Sequence, residues 1–305
     1  MASPLTSTTF TDLLDLRVRD VALGQYAKGE SFIPKIYTVV ESDRAYETYS
    51  EVTPGAKFDA FLGAVVYQGN DQGYDVTATH LEYAQGKQIQ RKLWDDDQFG
   101  IIDELSRDLG DNAFKTHEDH AAEIYSGAFS ASSSFFSHTE AVALCSASHT
   151  SPVSGVSTTT GFDNYDTAAL SPTSLTANII AMRQFKDAAG DLCDIQPDEL
   201  VFPVNLEDRV TEILRTTKGL DDAEGNVNPH EGRLKPLCWY RLSDSNNWFI
   251  QNSTLRKKNA LWFWRVRLEL AKMEGFDNII AKFRGYMRYS FLRRDWRWIM
   301  GSNVS

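Results

Sequence analysis

DDDQFGIIDELSRDLGDNAFKTHEDHAAEIYSGAF, residues 95–129, is the stretch whose reading decides the fold. Ile101, Ile102, Leu105, Leu109, Ala113, Ile124, Tyr125 and Ala128 recur at three- and four-residue spacing, which predicts one amphipathic helix from Gln98 to Phe129. Asp95, Asp96 and Asp97 precede it. Carboxylates there accept free N–H groups and suit the positive end of the helix dipole. A helix of that length spans about 45 Å and is longer than most helices of compact domains. It reads as a spine. Gly100, Gly110 and Gly127 weaken it slightly or permit close packing.

The segments before the spine carry little core of their own. Residues 1–32 are Ser/Thr-rich and then mixed, with a short helix expected between Thr11 and Leu23. Residues 33–57 have an extended character and end in the turn signal Thr53-Pro54-Gly55. Residues 58–93 read as β: an apolar run Phe58–Gln68, a turn at 69–73, a strand Tyr74–Glu82, and a third run Gln88–Leu93. Such a hairpin would not bury itself well alone.

After the spine, 130–170 is rich in Ser, Thr and Ala and reads as a long loop. Ser171-Pro172 opens a second helix with the stripe Leu175, Ile179, Met182 and Phe185, expected to end at Gly190. Leu200–Val204 reads as a buried strand, and Asn205 as the cap of a third helix with Asp208 three residues on. Leu237–Leu242 and Trp248–Gln251 read as paired strands across the turn 244–247. Ala260, Trp262, Trp264, Val266, Leu268 and Leu270 alternate with Arg265, Arg267 and Glu269 in a long half-buried strand, followed by a last strand region from Phe283 to Met300. The order of elements is α+β.

The 305 residues are 42% hydrophobic and 24% charged, an ordinary globular composition. No apolar run approaches a membrane span. The first residues lack the basic flank and apolar core of a secretory signal, so synthesis in the cytoplasm is expected. Cys145, Cys193 and Cys238 are too few and too scattered for a zinc or disulfide framework. Net charge is −11, unevenly spread: residues 256–300 hold 12 basic and 4 acidic residues, and the remainder 19 basic and 38 acidic. Either neighbouring copies or an acidic partner meet this strip, or its charges simply face water.

Catalytic patterns are sparse. His117, His120 and Glu123 share one helix face at metal-ligand spacing, yet no further ligand is evident. The acidic cluster 95–97 could hold a divalent cation, but helix capping explains it more cheaply. There is no nucleophile elbow, dinucleotide fingerprint or phosphate loop. Arg284, Arg288, Arg293, Arg294, Trp296, Arg297 and Trp298 could line a nucleic-acid groove, but the aromatics alternate as core residues do. No catalytic, metal or cofactor residue is assigned.

Several stretches carry a family resemblance. They are Ile33-Pro34-Lys35-Ile36-Tyr37 through Glu47-Thr48-Tyr49 and Pro54-Gly55; Gly86-Lys87-Gln88-Ile89 through Gly100; Leu144-Cys145-Ser146-Ala147-Ser148-His149; Trp248-Phe249-Ile250; and Asp295 through Ser302. In order and spacing, over roughly 33–302, the chain resembles tailed-bacteriophage major capsid proteins of the Hong Kong 97 fold, in particular the Mu-like major head subunit group. The resemblance implies an α+β subunit with an N-terminal arm and lead-in at 1–57 and an extended hairpin, the E-loop, at 58–95. It implies a peripheral domain at 96–170 and 255–305 and an axial domain at 171–254. It also implies hexamers and pentamers closing an icosahedral shell around double-stranded DNA, without sequence-specific binding, membrane or cofactor. The shell would assemble in the host cytoplasm with portal and possibly decoration proteins. Some relatives carry a cleaved scaffolding region; none precedes residue 33 here, so a separate scaffold is expected. No motif marks a crosslinking site, although Lys87 is present. Tyr74, Thr77, His80, Tyr83, Lys87, Arg91, Arg293, Arg294 and Arg297 are the expected intersubunit contacts. Two rivals stay open: an encapsulin-like nanocompartment shell, and a metal-dependent hydrolase using His117 and His120.

Overall fold

The computed structural model describes residues 8–55, 57–58, 60–61, 63, 65, 67, 69–90, 100–217, 227–275 and 280–304, apart from the side chains of 8–17, 101, 274 and 275. The spine is a helix at Ile101–Ser126, here the third (α3) after α1 (Thr8–Lys28) and the one-turn α2 (Ile33–Ile36). Its start differs from expectation. The preceding position is Gly100, with φ +69°, a left-handed conformation that glycine adopts without steric cost. Asp103 and Glu104 supply the first-turn negative charge. The expected caps Asp95–Asp97 lie outside the described residues. The predicted stripe holds: Ile102, Leu109, Ala113, Ile124, Tyr125 and Ala128 are all buried.

The arm corrects the sequence reading. Its helix is longer than 11–23, and it packs along the spine of its own chain, burying Val18 and Ala22. Gly110 makes this contact possible: a Cβ there would lie 2.3 Å from the Ala22 carbonyl oxygen. Gln25 Nε2 donates to Asp111 Oδ1 at 2.9 Å across the same seam.

Three sheets complete the fold. In the first, β1 (Thr38–Glu41) runs parallel to β10 (Ala260–Gly275), which pairs antiparallel with β11 (Ile280–Arg293) and through it with β4 (Leu81–Gln90). The first turn of β10 is apolar at every position because both of its faces are covered. Trp262 and Trp264 join the spine-side core with Tyr289 and Phe291. Leu261 and Phe263 face Val76 and Ala78 in a second cluster. That second layer is the sheet β2 (Tyr46–Val52), β3 (Gln72–Thr79) and β5 (Phe136–His138), all antiparallel. The hairpin is therefore β2 and β3, joined across 53–71. The apolar run 58–68, expected as a strand, contains no strand among its described residues.

The third sheet is mixed, in the order β6 (Tyr165–Asp166), β12 (Ile299–Ser302), β9 (Trp248–Gln251), β7 (Glu199–Phe202), β8 (Lys235–Cys238). β8 and β9, expected as a hairpin, are separated by β7, which pairs parallel with β8 and antiparallel with β9. The helix α4 (Pro172–Arg183) is opened by a Ser171–Ser174 capping box and ends at Arg183, not Gly190. The third expected helix, α5 (Glu207–Arg215), follows a 3-10 turn at Val204–Leu206 and has no Asn205 side-chain cap. The 130–170 segment is packed rather than superficial: Phe135, Leu144, Cys145, His149, Phe162 and Asn164 are buried.

Gly110→Ala tests the arm seam. Alanine gains about 1 kcal/mol of helix propensity, but overpacking against unyielding backbone costs about 1–3 kcal/mol. A lower denaturant midpoint and faster proteolysis of the arm are expected. A raised midpoint would show that the arm is not seated on the spine.

Candidate functional site

A subunit that works by association has surfaces rather than a catalytic cleft, and those surfaces depend on how its segments are pinned. The lead-in is pinned to the spine at the Glu118 carboxylate and the Ala121 carbonyl. Glu118, 1% exposed, accepts from Ser31 Oγ at 2.5 Å and from the Phe32 N–H at 3.1 Å. His117 Nε2 lies 3.5 Å from the same carboxylate. Burial pushes the Glu118 carboxyl up, but the hydrogen bonds from His117, Ser31 and Phe32 outweigh it and hold it below its ordinary 4.5. Tyr37 Oη donates to the Ala121 carbonyl at 2.7 Å.

A second pin joins the lead-in, the mixed sheet and the spine. Arg256 comes from α6 (Ser253–Asn259), a short helix that the sequence reading missed. Asn252 caps it, its Oδ1 accepting from Leu255 N–H at 2.9 Å, and the basic run 256–258 ends it. Arg256 Nη2 donates to Glu199 Oε2 at 2.8 Å, and Nη1 to the carbonyls of Lys35, at 2.6 Å, and Ile36. Gln251 Nε2 donates to the same Glu199 Oε2 at 2.8 Å, and Gln251 Oε1 accepts from Tyr125 Oη at 2.6 Å.

The Leu144–His149 motif folds around the last strands. His149 stacks on Trp296 with ring centres 4.3 Å apart, while its Nδ1 meets Glu140 Oε1 at 3.0 Å and its Nε2 meets Asn164 Oδ1 at 3.1 Å. Asn164 Nδ2 donates to the carbonyls of Leu144 and Ile299. The motif is thus a plug anchored by the buried Leu144, Cys145 and His149, with Ser148 exposed at its surface.

The nine expected contact residues separate by position. His80 is buried at the β3–β4 junction between Ser290 Oγ (2.7 Å) and Ser42 Oγ (3.1 Å), and burial lowers its pKa. Arg297 is buried, donating to the Lys186 carbonyl at 2.6 Å and Asp295 at 2.8 Å. Arg293 is buried and donates to the Val142 carbonyl at 2.6 Å. His80 and Arg297 give a neighbour almost no surface, and Arg293 is reached only through the cavity it lines at the end of the spine. Tyr83 is half-buried against Tyr289 and His120. Lys87 pairs with Asp108 of the spine at 2.5 Å. Tyr74 reaches Thr150 Oγ1 at 2.5 Å, Thr77 faces Thr48 across the hairpin at 3.0 Å, and Arg294 covers the Tyr49 ring at 5.2 Å. Arg91 lies outside the described residues. The apolar patch that periodicity obscured is the hairpin tip, where Phe58 is 106%, Phe61 74%, Val65 65% and Tyr67 93% exposed. Lys57 beside them pairs with Asp191.

The histidine pair that motivated a metal reading is occupied otherwise. His117 Nδ1 lies 3.0 Å from the Ala113 carbonyl, and its ring packs on Tyr26 and Trp264. His120 Nδ1 meets Tyr289 Oη at 2.7 Å among Tyr83 and Phe135. Among the described residues, no three His, Cys, Asp or Glu side chains cluster as metal ligands.

Arg256→Met would leave Glu199 buried and unpaired, an expected loss of about 3–5 kcal/mol in denaturant unfolding. Adding Glu199→Leu should recover part of it; no recovery would mean that the pair is not the unit of stability. For Glu118, a depressed folded pKa means that its stabilisation is complete above the ordinary value of 4.5 and is lost as pH falls through the folded value. Amide protection at 31–37, taken relative to intrinsic exchange at each pH, should therefore fall on acidification below that point. It should lose this pH dependence in Glu118→Gln, and a pH dependence retained in the variant would point to another group.

A family model described as phage capsid protein matches residues 73–300. Among solved structures, the capsid of a native GTA particle is similar at a TM-score of 0.56 and 13% identity, over 90% of this chain and 89% of that one. The bacteriophage JBD30 capsid is similar at 0.56 and 14%, over 70% and 92%. A virus-like particle from Pyrococcus furiosus is similar at 0.50 and 12%, over 94% and 98%. No curated protein matches. At these identities the structures speak for the fold, and the family model, covering most of the sequence, speaks for descent. The chain belongs to the phage capsid protein family and carries the Hong Kong 97-like fold of tailed-phage capsids.

Proposed function

We propose that the chain is the major shell subunit of a tailed phage, assembling as hexamers and pentamers into an icosahedral capsid around double-stranded DNA. The observation that carries this reading is a hairpin whose tip exposes Phe58, Phe61, Val65 and Tyr67 while its base is fixed in two sheets. Exposed apolar patches on a subunit mark association surfaces. Repeating one such surface around closed symmetry axes builds a shell from identical copies. Portal, scaffold and decoration proteins would be its partners, and DNA would be enclosed without sequence readout. No helix among the described residues is long and apolar enough to cross a membrane.

In this reading the spine, the first sheet and the 130–170 plug form the peripheral domain, and 171–254 most of the axial domain. β6 and β12 join the axial strands in the mixed sheet, so the two domains would move as neighbours sharing a sheet. Tyr74, Thr77, Tyr83, Lys87 and Arg294, partly accessible, are the proposed contact side chains from the expected set. The fold similarity to the Pyrococcus furiosus particle keeps one discriminator in play: packaged DNA supports a phage head, and a co-purifying cargo enzyme supports a nanocompartment.

The test is electron microscopy and sedimentation of the expressed protein, alone and with its neighbouring genes, against a variant whose residues 57–69 are replaced by a short Gly-Ser linker. Closed particles or free capsomers are expected from the parent. The variant should fold, because β2 and β3 are intact, yet give no shells. Normal shells from the variant would remove the tip from assembly, and a stable monomer under every condition would overturn the shell reading.

A further inference from the structure

Three arginines are buried in the C-terminal third, and two of them have carboxylate partners: Arg256 with Glu199, and Arg297 with Asp295. Arg293 is the exception. It is 6% exposed, and among the described residues it has no carboxylate oxygen within ion-pair distance. Its described contacts are one carbonyl, Val142, and the face of Phe136 at 5.7 Å. A guanidinium carries five N–H donors in a fixed fork; Glu140 acts on this one through space, without outweighing the effect of burial, and a buried cation without a hydrogen-bonded counter-ion is costly.

Arg293 also lines a cavity of about 230 Å³ at the C-terminal end of the spine. Its walls are Ile124, Leu144, Phe136 and Phe291. Its edge is the turn 130–133, where Ser130 and Ser132 are exposed. Glu123 also borders the cavity, with its carboxyl pushed up by burial alone. The lining therefore combines apolar walls with one cationic fork, the Glu123 carboxyl and a rim of hydroxyls.

We propose that this cavity is a carboxylate receptor, and that Arg293 receives an Asp or Glu side chain of a neighbouring copy of the chain. The occupant rests on the shell reading; the carboxylate chemistry does not. A carboxylate on a short methylene stem matches the lining: bidentate on the guanidinium, methylenes on the aromatic walls. A phosphate would place further charged oxygens against Phe136, Phe291 and the Glu123 carboxyl. Charge complementarity favours a copy of this chain as donor, since outside 256–300 it holds 38 acidic residues against 19 basic.

Two measurements decide it. In a cryo-electron microscopy map of assembled particles, a carboxylate oxygen of an adjacent copy is expected within about 3.2 Å of an Arg293 guanidinium nitrogen. A guanidinium bonded only to carbonyls of its own chain overturns the proposal, as does an adventitious ion only, with no neighbouring side chain. On unassembled full-length protein, sodium acetate is titrated against sodium chloride at equal ionic strength. The Arg293 side-chain N–H resonance should shift saturably. Arg293→Lys, which keeps the charge and loses the fork, should weaken acetate on the order of tenfold. Acetate should also slow assembly of the parent. No acetate-specific shift in the folded parent overturns the receptor chemistry. If no particles form under any condition, the shell reading fails and the neighbour fails as donor with it, while the acetate titration still decides the receptor.

Discussion

The Arg256–Glu199 pair is the constraint on which the rest of the architecture depends. One guanidinium holds the carbonyls of Lys35 and Ile36 in the lead-in and the carboxylate of β7. Through Gln251 the same carboxylate reaches Tyr125 on the spine. Four segments far apart in sequence thus meet at one buried charge. Such pairs add little net stability over an apolar replacement, because desolvation offsets most of the attraction. Their contribution is in geometry: both terminal nitrogens of the Arg256 fork are satisfied only when lead-in and β7 meet in this arrangement. For a subunit that must present the same surfaces in many copies, a single permitted arrangement matters more than a few kcal/mol.

That rigidity contrasts with the periphery. The hairpin is fixed at its base, where Val76 and Ala78 enter a closed apolar layer, while its tip is held by surface contacts such as the exposed Lys57–Asp191 pair. Exposed pairs of this kind contribute about 0–1 kcal/mol. The base can therefore stay constant while the tip adapts to neighbours in different settings.

The sequence was legible where one period governed a long segment. The spine, the α4 stripe and the alternation of β10 need only local patterning. It was less legible where a residue served two masters. The described residues of the hairpin tip are apolar yet form no strand, so 58–68 read as a strand although Phe58, Phe61, Val65 and Tyr67 lie exposed in the single subunit. The pairing of β8 and β9 was misread because β7, remote in sequence, inserts between them, and no local turn signal reports that. The arm was read as coreless because its partner is a glycine, Gly110, whose importance lies in the absence of a side chain. The helix that delivers Arg256 did leave a signal in Asn252-Ser253-Thr254 followed by three basic residues, but at seven residues it falls below the length at which periodicity is visible.

The charge asymmetry admits a more specific account than either of its first two readings. The basic residues of 256–300 do not form one strip. Arg256, Arg293 and Arg297 are buried. Arg265 and Arg267 lie against Asp43 and Glu41 beside β1, and Arg288 against Glu82 of β4. In these cases the cations of the late strands meet acids of the early segments, within one chain. The positive late third and the negative remainder are thus partly an internal complementarity that assembles the first sheet from opposite ends of the sequence. What remains for a neighbour is smaller: the exposed Lys257, Lys258, Lys282 and Arg284, the partly exposed Arg294, and the fork of Arg293. Short-range use of charge suits a shell, since salt screens exposed charges beyond about 8–10 Å and leaves contacts buried inside or between subunits as the ones that still discriminate.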